Sequence, residues 1–147
     1  MKVAVGCDPN ASWLKAEVID ELQASGHETE DFGSDDPIYA NVVIQVAEAV
    51  AAGTFDRGIV MCGTGIGASI AANKVPGAYC ALVTDTYQAE RAALSNNANL
   101  IAMGSQVTGN KVARLMAKTW MTNEYEPGGR SEPKIQRIYD YAAQHAT

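Results

Sequence analysis

Short, nearly continuous apolar runs alternate along this chain with longer segments in which apolar residues recur every three or four positions. The short runs are typical of strands buried on both faces of a parallel sheet, and the longer segments are typical of amphipathic helices. The pattern therefore predicts five strands, each followed by a helix. The predicted strands are 2–7, 27–32, 57–62, 78–83 and 99–103, and the predicted helices are 11–25, 39–52, a segment after Gly67 that runs through Asn73 and Lys74, 84–94 and 108–121.

Glycine, proline and capping residues mark the ends of several of these segments. Gly26 and Gly53 follow two helices in the C-cap position, Pro76 ends a third, and Thr84 or Asp85 is placed to cap a fourth at its N-terminus. The first helix has an apolar face at helical spacing, which we expect to be buried. Its members are Trp13, Leu14, Val18, Ile19 and Leu22.

Five strand–helix repeats imply parallel strands joined by right-handed crossovers. We therefore predict a single three-layer, Rossmann-like α/β domain over residues 1–147, with a five-stranded parallel sheet flanked by helices. The tail contains a turn at 126–129 and a polar helix at Glu132–Gln144, so a C-terminal helical arm is expected at about 123–147.

Composition limits the classes of function. The chain has 147 residues, 47% of them hydrophobic, and a formal net charge of −6. Such an acidic protein is not expected to bind nucleic acid, although two or three local cations are enough for a phosphorylated small molecule. The N-terminus resembles no signal sequence and no segment is long enough to cross a bilayer, so a soluble, cytoplasmic protein without a membrane partner is expected.

The cysteine and histidine content favours a reduced protein without a metal site. The three cysteines, Cys7, Cys62 and Cys80, are odd in number and form no CxxC motif, which disfavours a disulfide framework. His27 and His145 show no paired ligand spacing, so no zinc site is predicted.

Ligands of open α/β sheets bind beyond the carboxyl ends of the strands. This rule selects four segments as candidate ligand sites: residues 7–10, 62–67, 83–87 and the polar approach to the fifth strand at 95–99.

The segment Cys62-Gly63-Thr64-Gly65-Ile66-Gly67 carries the densest chemical signal. Glycines after a buried strand allow a tight turn into a helix, whose N–H groups form an anion cradle and lower the pKa of a nearby thiol. A thiolate in this position is suited to removing a proton next to a carbonyl, while the amides hold the enediolate oxygen. The alternative is a small buried structural cysteine, which is the role expected for Cys7 and Cys80.

Two nucleotide-binding interpretations of this loop are weaker. Gly63, Gly65 and Ala68 match part of a dinucleotide fingerprint, with Asp85 at the distance of the ribose-binding acid, but the motif would follow the third strand instead of the first. A P-loop is excluded because no Gly-Lys-Ser/Thr follows.

Polar residues outside the loop also have two possible roles. Asp8 is expected either to cap the first helix or to bind substrate hydroxyls. The cluster at 95–99 forms either a turn or a set of ligands for sugar hydroxyls. Arg130 and Lys134 either lie on a solvated surface or bind a phosphate group together.

Together these segments resemble the family of ribose-5-phosphate isomerase B and galactose-6-phosphate isomerase over nearly the whole chain. The resemblance implies a Rossmann-like fold, dimers or tetramers with sites at subunit interfaces, and cofactor-free, metal-free isomerisation of a sugar phosphate through an enediolate. The motifs that carry it are VAVGCD (3–8), EDFG (30–33), VAEAVAAG (46–53), DRGIVMCGTGIGASIAANKVPG (56–77), ALVTD (81–85), NNAN (96–99) and GGR (128–130).

The resemblance also implies roles for residues at matching positions. Cys62 is the base and Thr64 assists proton transfer at the oxygens. Asp8, Ser95 and Asn96 lie at the sugar, and Arg130 and Lys134 bind the phosphate. The amide cradle comprises Gly63, Gly65 and Gly67, with Ser69 at its rim.

Three positions depart from the ribose-type pattern: Pro9 and Ser95 replace histidines, and Asp36 replaces a tyrosine. The histidine at the position of Ser95 opens the sugar ring. A tetrose 4-phosphate has no free 4-hydroxyl and stays open-chain, so its isomerase needs no such group. AERAALSNNA (89–98) and FDRGIVMCGTGIG (55–67) also resemble the erythrulose-4-phosphate isomerase branch.

The sequence therefore leaves a pentose or a tetrose phosphate open as substrate. Two alternatives belong to other classes of function: a nucleotide-binding module, and a noncatalytic subunit of a two-subunit isomerase. The presence of Cys62 and Thr64 disfavours the noncatalytic subunit.

Overall fold

The computed structural model describes residues 1–145, so the last two residues of the predicted C-terminal arm lie outside it. The chain forms a five-stranded parallel sheet in the order β2-β1-β3-β5-β4, which confirms the predicted fold class. The elements are β1 Lys2–Cys7, α1 Ser12–Ala24, β2 Glu28–Asp31, α2 Tyr39–Ala51, β3 Arg57–Cys62, α3 Ile66–Ala72, β4 Cys80–Leu82, α4 Thr86–Leu94, β5 Leu100–Gly104, α5 Asn110–Met121 and α6 Glu132–Gln144, with a 3₁₀ turn at Pro9–Ala11.

Helices cover both faces of the sheet and create two apolar layers. Helices α1, α4 and α5 pack together on one face, and α2 and α3 pack together on the other. Alternate residues of β3 serve the two layers, since Ile59 and Met61 belong to the first and Val60 and Cys62 to the second. The period of two therefore directs the Cys62 side chain towards α2 and α3.

The first helix buries a narrower face than the sequence predicted. Leu14, Val18 and Leu22 are buried at four-residue spacing, but Trp13 is 47% exposed, so its predicted burial was wrong. One helical step rotates a side chain by about 100°, which turns Trp13 off the stripe that its neighbour Leu14 leads. Lys15 is buried instead, because its ammonium group pairs with Asp31 at 2.8 Å.

The fourth strand is shorter than predicted: three residues, Cys80–Leu82, instead of 78–83. It lies at the edge of the sheet and pairs with β5 alone. The N–H of Ala78 donates to the carbonyl of Val75 in the preceding turn, so the chain is still turning where the pattern predicted extended backbone.

Local end signals were more reliable than strand lengths. Of the two predicted caps of α4, Thr84 and Asp85, it is Asp85 that accepts a hydrogen bond from the Gln88 N–H, at 2.7 Å. Gly26, after α1, has a φ of +87°, the left-handed conformation that favours glycine.

A buried arginine from β3 closes the C-terminal end of α5. Arg57 donates to the carbonyl oxygens of Trp120 at 2.6 Å and Asn123 at 2.8 Å, and its guanidinium lies 4.8 Å from the centre of the Trp120 ring. Carbonyls at the end of a helix lack regular helical partners. The Trp120 carbonyl otherwise accepts a long hydrogen bond from the Asn123 N–H at 3.4 Å, so the arginine supplies its shorter partner. Burial lowers the pKa of Arg57, against the raising influence of Glu124 and Asp56.

The α4–β5 loop lies at the amino ends of the parallel strands, and the Cys62 loop lies at their carboxyl ends. Residues 95–99 precede β5, so they stand at the amino end of a parallel strand, whereas Cys62 ends β3. The assignment of this segment to the carboxyl edge was therefore wrong. Among residues 1–145, no helix combines the length and apolar character needed to cross a membrane.

Candidate active site

Cys62 is the last residue of β3, a central strand, and lies beside Gly104 at the end of β5. The residue is 5% exposed, which places it just beneath the surface of the carboxyl edge. Its sulfur accepts a hydrogen bond from the Gly65 N–H at 3.2 Å. The sulfur is therefore held against the backbone of the loop that follows β3.

The loop after Cys62 folds tightly because two glycines leave room for it. Gly65 has a φ of +79° and immediately precedes α3. Gly104 supports the loop from below, and a Cβ there would lie 2.3 Å from the carbonyl carbon of Thr64. The carbonyls of Cys62 and Gly63 then accept hydrogen bonds from the N–H groups of Ser105 and Gln106, which fix the loop to the end of β5.

The loop presents unpaired donors beside the sulfur. The N–H groups of Gly63 and Thr64 donate to no atom of residues 1–145, whereas the Ile66 N–H donates to the Thr64 hydroxyl at 3.3 Å. Gly67 lies in the first turn of α3, where backbone N–H groups have no partner inside the helix. These amides have the hydrogen-bonding capacity that an oxyanion cradle needs, and the cradle itself stays a prediction.

Asp8 follows β1, directly beside β3, and is 4% exposed. It makes no capping hydrogen bond to the 3₁₀ turn that it precedes, so the capping alternative was wrong. Its Oδ2 accepts from the Asn10 side-chain amide at 3.2 Å, but within the described chain its buried Oδ1 has no partner. A buried carboxylate oxygen without a donor is costly, so this atom is suited to accept a hydrogen bond from a ligand.

Two further residues, which the sequence did not identify, contact the Cys62 loop. The Tyr39 hydroxyl lies against Gly67, where a Cβ would approach it to 2.2 Å. The Gln106 side chain covers Gly63, and its carboxamide carbon lies 3.5 Å from where a Cβ on Gly63 would be. Tyr39 begins α2 and Gln106 follows β5, so only the packing of distant elements brings them to Cys62.

The two other cysteines have surroundings suited to a structural role. Cys7 is fully buried in the layer beneath α1, and burial raises its pKa to about 12. Burial also raises the pKa of Cys80 to about 12, although a hydrogen bond with Ser69 lowers it in part. Ser69 thus lies half-buried beside Cys80, where its predicted place at the cradle rim stays a prediction.

The remaining predicted ligands lie away from the Cys62 loop. The Ser95 hydroxyl accepts a hydrogen bond from Arg91 Nε at 2.7 Å, and Asn96 beside it is exposed. Arg130 lines a cleft of about 260 Å³ together with Arg91. Lys134 is exposed in the first turn of α6.

One chain does not bring the two groups of residues together. Cys62 pairs with Gly104, and Gly58 pairs with Leu100, at the two ends of β5. At about 3.3 Å per residue these ends are about 13 Å apart, and Ser95 and Asn96 lie beyond the far end. Asp8, Cys62, Thr64 and the glycines therefore lie at one end of the strands, and Ser95 and Asn96 lie at the other, with Arg130 near them across the cleft that Arg91 also lines. Their roles as ligands stay predictions.

The nucleotide-binding alternative gains no support from the geometry. The Asp85 carboxylate is occupied in capping α4, and β5 separates its strand from β3. In residues 1–145, no three His, Cys, Asp or Glu residues are grouped closely enough to hold a metal ion.

Comparison with known proteins relates the chain to one group of enzymes. The family model described as Ribose/Galactose Isomerase matches residues 3–138. D-erythrulose-4-phosphate isomerase of Pectobacterium atrosepticum is 41% identical, with 99% of each chain covered. Ribose-5-phosphate isomerase B of Escherichia coli is 39% identical, with 93% of each chain covered. The structure of ribose-5-phosphate isomerase B from Clostridium thermocellum superposes with a TM-score of 0.92 at 39% identity, covering 99% of this chain and 100% of that one.

Proposed function

This chain belongs to the ribose/galactose isomerase family and is an aldose–ketose isomerase of a sugar phosphate, and from that premise we propose that Cys62 is its catalytic base. The observation that carries the proposal is the position of the Cys62 sulfur, at the start of a loop whose Gly63 and Thr64 N–H groups have no partner in the described chain. A base and an oxyanion cradle are thereby adjacent.

In the proposed reaction the Cys62 thiolate removes the proton from C2 of the open-chain aldose. The electron pair of that bond forms the C1–C2 double bond, and the carbonyl oxygen at C1 becomes the oxyanion of an enediolate. The N–H groups of Gly63, Thr64, Gly65 and Gly67 are the proposed donors to this oxygen, and that of Gly65 also donates to the sulfur. Thr64 transfers a proton from the C2 hydroxyl to the C1 oxygen, and Cys62 returns its proton to C1, which yields the ketose.

Asp8 is proposed to position the sugar during this transfer. Its buried Oδ1 has no partner within residues 1–145 and accepts a hydrogen bond from a substrate hydroxyl. Because Asp8 and Cys62 end neighbouring strands, about 4.8 Å apart, the hydroxyl that Asp8 holds belongs to a carbon close to the reacting pair.

We propose that the working enzyme is a homo-oligomer, a dimer or a tetramer, in which each site is shared between two copies. One copy supplies Asp8, Cys62 and Thr64, and the other supplies Ser95, Asn96, Arg130 and Lys134. The support is the separation of about 13 Å between the two edges of the sheet, which one small sugar phosphate does not span. The apolar side chains of Ile66 and Ile70, 54% and 58% exposed on α3 beside the Cys62 loop, are suited to this contact.

Between the two candidate substrates, the surroundings of Ser95 favour a tetrose 4-phosphate over ribose 5-phosphate. A serine hydroxyl that accepts from Arg91 is a poor base at neutral pH, so this position is not suited to opening a furanose ring. An open-chain tetrose phosphate makes no such demand. The Pectobacterium relative, which is named for erythrulose 4-phosphate, is consistent with this assignment.

We further propose that the enzyme acts in the cytoplasm, without cofactor or metal. Three free cysteines, two of them buried, suit a reducing compartment. The proposed reaction moves a proton between two carbons and needs no redox partner.

A coupled isomerase assay over C4, C5 and C6 sugar phosphates tests the proposal. Erythrulose 4-phosphate should give the highest kcat/KM, and addition of EDTA should not change it. If ribose 5-phosphate is converted far faster, the tetrose assignment is wrong while the isomerase function stands. If purified protein converts no sugar phosphate at all, the noncatalytic-subunit alternative gains and the proposed function fails.

A further inference from the structure

Arg91 is a cation that the reaction above leaves without a role. It lies in the last turn of α4, with its side chain 30% exposed, and its Nε donates to the Ser95 hydroxyl at 2.7 Å. Towards the rest of residues 1–145 its terminal nitrogens make only a loose ion pair, with Glu90 at 3.9 Å. One edge of the guanidinium is therefore fixed, and the other edge is left available to a ligand.

Arg91 lines the same cleft as Arg130. This cleft of about 260 Å³ lies between the end of α4 and the turn that leads into α6. Arg91 lines it from α4, and Arg130 lines it from the turn. Tyr125 and Ser131 add polar groups, and Glu126 adds one negative charge. Two guanidinium groups around one small cleft are typical of a site for a phosphate dianion, which they bind through paired N–H groups.

We propose that Arg91 is a further substrate-binding residue, which binds the phosphate group of the sugar phosphate together with Arg130 and orients the Ser95 hydroxyl towards the substrate. The proposal rests on the proposed function for the identity of the substrate. It adds a second arginine, from a different element, to the predicted phosphate ligands.

The hydrogen bond to Ser95 links phosphate binding to the sugar end of the same partial site. Because the Ser95 oxygen accepts from Arg91, its own proton is free to donate to a phosphate or sugar oxygen. The fixed Nε also reduces the rotamer freedom that Arg91 loses when the phosphate binds. Arg91 thus acts as a ligand and as a positioning residue for Ser95.

Steady-state kinetics on the full-length protein test the role of Arg91 with the substrate that the coupled assay identifies. Arg91→Met should raise KM about 10-fold to 100-fold, the loss expected for a charge-assisted contact, with a much smaller change in kcat. Arg91→Lys, which keeps the charge but not the paired geometry, should recover part of the loss. Arg137→Met, on α6 outside the cleft, is the matched control and should leave KM unchanged.

Inorganic phosphate supplies a readout that does not depend on turnover. Phosphate should raise the thermal unfolding temperature of the wild-type protein and of Arg137→Met, and this shift should be lost in Arg91→Met. Glu126→Gln, which removes the opposing charge, should enlarge the shift. If Arg91 served only to end α4, Arg91→Met would unfold at a lower temperature without phosphate and keep the full phosphate-dependent shift.

The outcomes separate this inference from the proposed function. An active wild-type enzyme whose Arg91→Met variant keeps its KM and its phosphate shift overturns the role of Arg91 and leaves the isomerase function intact. A protein that converts no sugar phosphate refutes the function, and the phosphate shift still decides whether Arg91 binds an anion.

Discussion

At the scale of single residues, the reactivity of this enzyme is proposed to depend on Cys62. Replacing it with alanine should lower kcat by about 10²-fold to 10⁴-fold, the usual contribution of a general base, while circular dichroism and unfolding stay close to wild type. Cys62→Ser should be nearly as inactive, because a hydroxyl is a far weaker base than a thiol at neutral pH. Cys80→Ala is the matched control and should keep its activity; equal losses in both variants would contradict the assignment.

Thiol alkylation distinguishes the three cysteines chemically. Burial raises the pKa of Cys7 and Cys80 to about 12, so near neutral pH both remain thiols, which react slowly. Iodoacetamide should therefore modify Cys62 first and inactivate the enzyme, and bound substrate should slow both events. Peptide mass spectrometry at partial inactivation is the measurement, and label on Cys7 or Cys80 ahead of Cys62 would contradict the assignment.

Asp8 should show opposite effects on activity and stability. Asp8→Asn removes a buried carboxylate whose Oδ1 has no donor in the described chain, so the free energy of unfolding should rise by about 1 kcal/mol. The same variant should raise KM about 10-fold, because a charged acceptor for a sugar hydroxyl is lost. Urea unfolding and steady-state kinetics measure the two effects, and a variant that loses stability would show that Asp8 has a structural role.

At the scale of elements, Arg57 connects β3 to the end of α5. Arg57→Met removes one buried and one part-buried hydrogen bond to backbone carbonyls and the contact with the Trp120 ring, so the free energy of unfolding should fall by about 2–3 kcal/mol. The exposed Lys118 on α5 supplies the comparison, since Lys118→Met should change stability by no more than about 0.5 kcal/mol. Urea denaturation measures both; similar values would show that Arg57 is not required to hold α5.

The end of β5 supports the Cys62 loop. Its backbone is bonded to the end of β5, and Gly104 gives it the space to lie there. A loop so closely packed holds its amides in fixed positions, which the proposed stabilisation of an oxyanion requires. The support comes from β5, a strand that the sequence places about forty residues after the loop.

At the scale of the whole molecule, the proposed sharing of sites between copies predicts complementation. Cys62→Ala and Arg130→Ala damage different partial sites, so each homo-oligomer should be weakened at every site. Mixing the two after dissociation should restore about a quarter of wild-type activity, because half of randomly formed dimers contain two copies of different type and each of these has one intact site. Activity that never exceeds the sum of the separate variants would show that each site belongs to one chain.

The sequence by itself determined the order and kind of the elements. The bounds of β3 and α6 match the structure, as does the Asp85 cap, because periodicity and capping are local properties of neighbouring residues. The loop after Cys62 was also identified in advance, since glycines directly after a buried strand constrain the backbone there.

Only the tertiary structure decided which residues meet. β5 inserts between β3 and β4, an order fixed by the crossovers and by helix packing on both faces, which local pattern does not report. That order places Ser95 and Asn96 at the edge away from Cys62 and brings Gln106 over Gly63, while the packing of α2 brings Tyr39 to Gly67. Burial of Asp8, Trp13 and Lys15 was likewise set by neighbours distant in sequence, because exposure depends on what packs against a side chain and not on the side chain alone.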